Sequence, residues 1–227
     1  MKKIVSITAL TVALLSATNA VAGWNNDYEY VETKRLTMDA SALEHFEIEA
    51  GAGSLTVIGD EVDEINVSAE IYQVDAGEEY CLSLDYANDD KQHAQLVANN
   101  CRSDTRIDVT VTLPAQLVTE IKDGSGRMVI DNASVSKIED GSGSIKTTNN
   151  HTALAIEDGS GSIDIELIDG DVRIDDGSGS IHVSDVTGQV TVRDGSGSIN
   201  VNNATSFNLL SDGSGSVNLS NVNAKRM

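Results

Sequence analysis

The chain is poor in the residues that most protein functions draw on. Against 36 aspartates and glutamates it sets only 15 lysines and arginines, a net charge of −21. Such a field repels nucleic acid and anionic membrane surfaces, and it attracts divalent cations or basic partners. Cysteine is limited to Cys81 and Cys101. With no C-x-x-C spacing, and no second histidine near the His93 that lies between them, zinc has no ligand pattern. Aromatic residues are few, and Phe207 is the only one after residue 122, whereas sugar binding draws on stacking rings. No apolar run after the first segment reaches the ~20 residues of a spanning helix. The glycines are not followed by a Walker lysine, Gly-Ser-Gly-Ser is not the Gly-x-Ser-x-Gly elbow, and His45, His93, His151 and His182 have no repeated acid or nucleophile partner. The chain is therefore expected not to be an enzyme, and a polysaccharide-active enzyme is an analogy of fold alone.

What is present begins with Lys2 and Lys3, an apolar segment from Ile4 to about Leu15, and Ala20-Val21-Ala22 before Gly23. This order predicts a signal peptide over 1–22, with an exported chain starting at Gly23 in the periplasm or outside the cell. Removing Lys2 and Lys3 leaves 13 basic against 36 acidic residues, a net charge of −23. In an oxidising compartment Cys81 and Cys101 are expected to form a disulfide, which closes a loop worth ~3 kcal/mol in the chain-entropy model.

The dominant feature is Asp-Gly-Ser-Gly, written six times from Asp123, Asp140, Asp158, Asp176, Asp194 and Asp212, at steps of 17 and then 18 residues. A unit recurring at this period predicts an all-β parallel solenoid with coils of about eighteen residues. Let position 1 be the residue after the second glycine. Position 2 then holds Met128, Ile145, Ile163, Ile181, Ile199 and Val217, and position 4 holds Ile130, Thr147, Ile165, Val183, Val201 and Leu219. Ile168, Val186, Ala204 and Val222 stand at position 7, and Leu154, Val172 and Val190 at position 11. Position 13 holds Ile121, Ile138, Ile156, Ile174, Val192 and Leu210. These columns are the expected core. From 13 to the next 2 is an odd number of steps, so the alternation of a strand must break once inside the Asp-Gly-Ser-Gly-Ser motif, which makes it a corner. From 4 to 11 a second break is needed, and Gly170 and Gly188 lie there in two coils.

The first half is less regular. Residues 23–45 carry Trp24, Tyr28 and Tyr30, and an extended stretch from Tyr30 to Thr37 is expected to cap the first coil, with a sugar-stacking surface as the alternative use of the aromatic residues. Residues 46–122 hold degenerate coils: Phe46 to Glu49, then Gly51-Ala52-Gly53-Ser54, then Leu55 to Ile58, with further strands at Ile65 to Ile71 and Ile107 to Leu113. Pro114 ends the last of these. Between them, 73–105 reads as a polar excursion or hairpin pinned by the disulfide, and 123–227 is the regular stack.

Stacking would align Asp123, Asp140, Asp158, Asp176, Asp194 and Asp212 in a line about 24 Å long. Neighbouring charges at that spacing repel by ~1 kcal/mol in water and ~3 to 4 at an effective dielectric of 20. One resolution is that each carboxylate accepts backbone N–H groups two or three residues on, so that the motif only turns a corner. Another is that the six aspartates, helped by Glu139, Glu157 and Asp175, bind Ca²⁺, although Lys137, Arg173 and Arg193 compete and the motif matches no known calcium loop. No other cofactor is expected.

Gly53-Ser54-Leu55-Thr56-Val57, Val111-Thr112-Leu113-Pro114, and Leu117 to Ile121 leading into Ser125-Gly126 resemble the putative-adhesin domain family of exported bacterial proteins, over roughly residues 46 to 220. The resemblance implies a surface or periplasmic β-solenoid without catalytic residues, an interaction or scaffold module for a protein or glycan ligand. The near-perfect Asp-Gly-Ser-Gly-Ser repetition and the cysteine-bearing insertion depart from the family pattern. Edge-to-edge self-association through the last half-coil, Val217 to Val222, is a further expectation, opposed by Lys225 and Arg226.

Overall fold

The computed structural model describes residues 28–87, 90–99, 101 and 104–225. The expected leader at 1–22 and the first residues of the expected cap, 23–27, lie outside them. Sixteen strands belong to one hydrogen-bonded network. The regular part runs through β8 (Val118–Asp131), β9 (Ser134–Asp140), β10 (Gly143–Asn150), β11 (Leu154–Asp158), β12 (Gly161–Ile168), β13 (Val172–Asp176), β14 (Gly179–Asp194), β15 (Gly197–Asp212) and β16 (Gly215–Lys225). Every pairing among them is parallel, and the core columns set like residue on like: Ile145 beside Ile163, Ile163 beside Ile181, Ile181 beside Ile199. This is the parallel solenoid that the repeat period predicts.

Positions 2, 4, 7, 11 and 13 point inward, and Met128, Ile163, Ile181, Ile199, Ile174 and Val192 are almost fully buried. Phe207 fills position 11 of its coil beside Val190. At position 7 of the coil before Ile168 stands Asn150, buried but fully engaged: its Oδ1 accepts Val135 N–H, and its Nδ2 donates to the carbonyls of Val135 and Thr152. One column assignment needs correction. Counting places Leu210 at position 13, but β15 slips by one residue there, so that Leu209 pairs with Val192 and Leu210 is 38 % exposed.

Both corners break the alternation of the strands. At the first, Gly126, Gly143, Gly161, Gly179, Gly197 and Gly215 all have φ between +135° and +156°. The second corner also differs from the sequence reading. It turns at position 6, where Asn132, Asn149, Leu167, Asp185, Asn203 and Asn221 are left-handed with φ between 54° and 59°, three residues before the glycines at 170 and 188. Asparagine and aspartate tolerate that conformation because their short polar side chains bond locally.

The first half continues the stack and then closes it. β2 (His45–Ala52) lies parallel to Val118–Ser125 of β8, and β3 (Leu55–Asp60) parallel to Met128–Asp131, so the solenoid does start near residue 46. β7 (Thr105–Pro114) pairs with β3 and ends at the proline. Beyond it the order turns antiparallel: β4 (Glu64–Gln73) on β7, and β1 (Glu29–Asp39) on β4. The 73–105 segment is only partly an excursion. β5 (Cys81–Tyr86) and β6 (His93–Asn99) form a hairpin closed by the Cys81–Cys101 disulfide, yet β6 also pairs with β2 and buries Ala94, Leu96 and Ala98. β1 forms an outer edge that carries Glu29, Glu32, Lys34, Arg35 and Asp39 and is bulged between Tyr30 and Glu32, devices that discourage further pairing.

Candidate functional site

The six aspartates form the expected row: Asp123 pairs with Asp140, Asp140 with Asp158, Asp158 with Asp176, Asp176 with Asp194, and Asp194 with Asp212. The structure adds their direction. Position 15 continues the inward alternation of 11 and 13, so Asp123, Asp140, Asp158, Asp176 and Asp194 are only 2 to 8 % exposed, while Asp212 in the outermost coil is exposed. In four coils Oδ1 accepts the N–H of the serine two residues on, at 3.3 Å for Asp140 and 3.0 to 3.1 Å for Asp158, Asp176 and Asp194. The other oxygen, Oδ2, is buried in each and has no hydrogen-bond partner among the described residues. Both oxygens of Asp123 lack one as well, and the next coil ends the row with Ala50.

Buried acceptors without donors disfavour the charged form, and neighbouring carboxylates add to this. Burial, then the charge of Asp140, raises Asp123 to about 7. Burial, then Asp158, raises Asp140 to about 6, and burial with Asp158 and Asp194 on either side raises Asp176 to about 6. Asp158 and Asp194 are raised too, chiefly by burial. The repulsion along the row is thus relieved by protons taken up near neutral pH. Outside, Glu139, Glu157 and Asp175 line an open depression of about 500 Å³ over the ladder. They are engaged by cations: Lys137 binds Glu139 and reaches Glu157 at 3.5 Å, and Arg193 reaches Asp175 at 3.6 Å.

As a calcium site the arrangement fits poorly. Asp140, Asp158, Asp176 and Asp194 each leave one oxygen without a donor and Asp123 leaves two, and among the described residues no group of three or more His, Cys, Asp or Glu side chains is placed to hold a metal ion.

Two features escaped the sequence reading. His45, absent from the neighbourhood of His93 in the sequence, stacks on it with ring centroids 5.3 Å apart, because β2 and β6 run parallel in register. Asp90 Oδ2 holds His93 Nδ1 at 2.6 Å. The signal was the shared start of two degenerate coils, His45-Phe46 and His93-Ala94. The second feature is a row of rings across three strands, Tyr30 of β1 beside Tyr72 of β4 beside Arg106 of β7. The tyrosines meet edge to face with centroids 5.8 Å apart, and the guanidinium lies 4.3 Å from the centre of the Tyr72 ring and 5.7 Å from that of Tyr28. Of the aromatic residues expected to cap the first coil, with a sugar-stacking surface as the alternative, Tyr28 and Tyr30 are exposed on its outer face, and Trp24 lies outside the described residues.

No protein-family model matches the chain, and no curated protein matches it. Two crystal structures are similar to it in fold. One is of a putative cell adhesion protein from Clostridium sporogenes, 14 % identical, with a TM-score of 0.49 over 87 % of this chain and 100 % of that one. The other is of a putative adhesin from Parabacteroides merdae, 8 % identical, with a TM-score of 0.32 over 86 % of this chain and 96 % of that one.

Proposed function

We propose that the chain is a non-enzymatic, exported interaction or scaffold module of adhesin type. The observation that supports this reading is the repetition of outward positions on a stack locked by a continuous core. Position 1 presents Ser144, Ser162, Ser180 and Ser198 in register, and position 3 presents Asp164, His182, Asn200 and Asn218 beside them. Such a surface is regular and preorganised, so docking on it orders little chain. A disulfide at Cys81–Cys101 suits an oxidising compartment.

The test is saturable binding of the labelled mature chain to intact bacterial and host cell surfaces, competed by unlabelled chain. Binding that neither saturates nor competes overturns the reading. Calcium is not required by it: melting curves in millimolar calcium and in chelator are expected to coincide, and a rise with calcium would make the ladder a cation site instead. Self-association belongs to the same proposal through β16, which pairs only with β15 among the described residues and has no charged residue before Lys225.

A further inference from the structure

The outer face of β1, β4 and β7 differs chemically from every other surface of the molecule. Its first row is Tyr30, Tyr72 and Arg106, with Tyr28 beside the guanidinium, and the next is Thr33, Glu70 and Asp108. Arg35, Ser68 and Thr110 follow. Ile71, Ile107 and Val109 alternate with these residues and are buried on the other side, so the rows stand outward on the sheet. Tyr30 is 50 % exposed and Tyr28 40 %, the largest aromatic exposure among the described residues.

The polar groups around the rings are held in place. Tyr72 donates its hydroxyl to Glu70 Oε2 at 3.0 Å, Tyr30 and Thr33 share a hydrogen bond of 2.9 Å, and Asp108 accepts the Ser54 N–H on one oxygen and Arg106 Nη2 on the other. Arg106 Nε is buried without an acceptor, so this side chain is fixed by stacking on Tyr72 and by one carboxylate. Burying two tyrosines and an arginine has other uses, since the same residues anchor protein interfaces. A protein hot spot, however, sits in a well-packed pocket near the centre of an interface, whereas here Tyr30 and Tyr28 stand exposed on an open sheet face among Thr33, Glu70, Asp108, Ser68 and Thr110.

Aromatic faces carry negative charge and edges positive charge. A pyranose offers the complement: C–H groups on one face and hydroxyls round its rim, which carboxylate, hydroxyl and guanidinium groups accept from or donate to. Acidic chains are disfavoured by a net charge of −21. We infer that the outer face of β1, β4 and β7, centred on Tyr30, Tyr72 and Arg106, is a docking platform for a neutral glycan. The inference rests on the interaction-module reading and supplies its ligand class. An open face with rows aligned across three strands suits an extended polysaccharide more than a single buried sugar.

Affinity electrophoresis of the mature chain through gels containing a neutral β-glucan, xylan or galactomannan, with alginate as the acidic probe, tests it. Retardation by at least one neutral polymer and not by alginate is expected. Tyr30→Ala should weaken that binding about tenfold with an unchanged melting temperature, Tyr30→Phe should keep most of it, and Asn218→Ala on the far coil should leave it unaltered. Retardation by none of the neutral polymers, by alginate alone, or equally for Tyr30→Ala, overturns the inference. Periodate treatment of cell surfaces separates the two proposals: cell binding that survives it keeps the interaction module and removes the glycan, whereas an untreated surface that never binds the chain removes the module itself.

Discussion

From Val118 onward most inward side chains lie beside a like residue of the next coil, whereas the outer face before Pro114 brings unlike residues together. In the regular coils, Gly143, Gly161, Gly179 and Gly197 lie beside one another, as do the isoleucines of position 2. In the first part, Tyr72 lies between Tyr30 and Arg106, and Glu70 between Thr33 and Asp108. Parallel stacking of equal coils fixes the neighbours of a residue by fixing its column, so the inward rows repeat one chemistry, while an outward row such as Lys146, Asp164, His182 and Asn200 varies from coil to coil. Antiparallel strands of unequal sequence bring unlike groups within a few ångströms of each other. Ring, cation and carboxylate therefore meet in the irregular part, and the repeats supply length and rigidity.

The comparison breaks most visibly at glycine. A Cβ on Gly179 would stand 1.6 Å from the carbonyl oxygen of Gly161 at φ +151°, with the coil below directly against it. Gly179→Ala is expected to cost on the order of 4 kcal/mol or more and to abolish cooperative urea unfolding at 25 °C. Gly77, at φ +96°, has nothing within 4 Å of a built Cβ, so Gly77→Ala should cost only about 1 to 2 kcal/mol of backbone strain. Equal losses in the two variants would contradict the contrast between stack and insertion.

Removing the disulfide tests whether the two regions unfold as one. Cys81→Ser combined with Cys101→Ser releases a loop spanning a sequence separation of 20, worth ~3 kcal/mol in the chain-entropy model. In a stack where each coil contacts only its neighbours, that loss should stay near the hairpin. Hydrogen exchange should show β5 and β6 losing protection while β12 to β14 keep theirs; uniform loss through the repeats would mean the insertion controls the whole chain.

The columns were legible because they repeat. Eighteen-residue steps assign Ile163, Ile181 and Ile199 to one interior row without any knowledge of the turns, and the odd step across Asp-Gly-Ser-Gly-Ser requires a corner. The second corner was misplaced because its signal is a mixture of Asn, Asp and Leu at position 6, and only the backbone angles make them one column. Leu210 was misassigned because a single slip in β15 is invisible to counting. The inward aim of the aspartates followed from the same alternation as positions 11 and 13, but charge argued against burying them. The tyrosine row and the His45–His93 stack depend on pairings between strands 42 to 48 residues apart, which no period announces.

The buried ladder has a pH dependence of defined sign. Asp123, Asp140 and Asp176 have pKa values near 7, 6 and 6 in the folded chain, above the usual 3.8, so the folded state binds more protons than the unfolded one in between. Their contribution is fully present below about pH 4 and is lost as pH rises through 6 to 7. Lowered exposed carboxylates such as Glu32 and Glu139 act in the opposite sense in the acid limb. The melting temperature should therefore be higher at pH 5 than at pH 8. Asp176→Asn keeps an acceptor for Ser178 N–H and carries no charge. It should raise stability at pH 8 by about 1 to 2 kcal/mol and flatten the profile, with little change at pH 4. A variant less stable than the parent at pH 8 would show that the charge of the ladder is compensated by something other than protons.

The smallest expected effect lies at the one member of the second corner that breaks its pattern. Leu167 sits at φ +59°, 47 % exposed, in a column otherwise made of asparagine and aspartate. A leucine gains no local hydrogen bond in that conformation and buries little there. On either side the column is linked: Asn149 Nδ2 donates to Asn132 Oδ1 at 2.7 Å, and Asn203 Nδ2 donates to Asp185 Oδ1. Leu167→Asn relieves the left-handed strain and extends the linkage across the gap, for a gain of about 0.5 to 1 kcal/mol. The converse, Asn149→Leu, also removes the bond to Asn132 and should cost about 1 to 2 kcal/mol. If both variants melted with the parent, the asparagines of this corner would be only the residue type that tolerates the turn, and the repeats would owe their shape to the glycine corner alone.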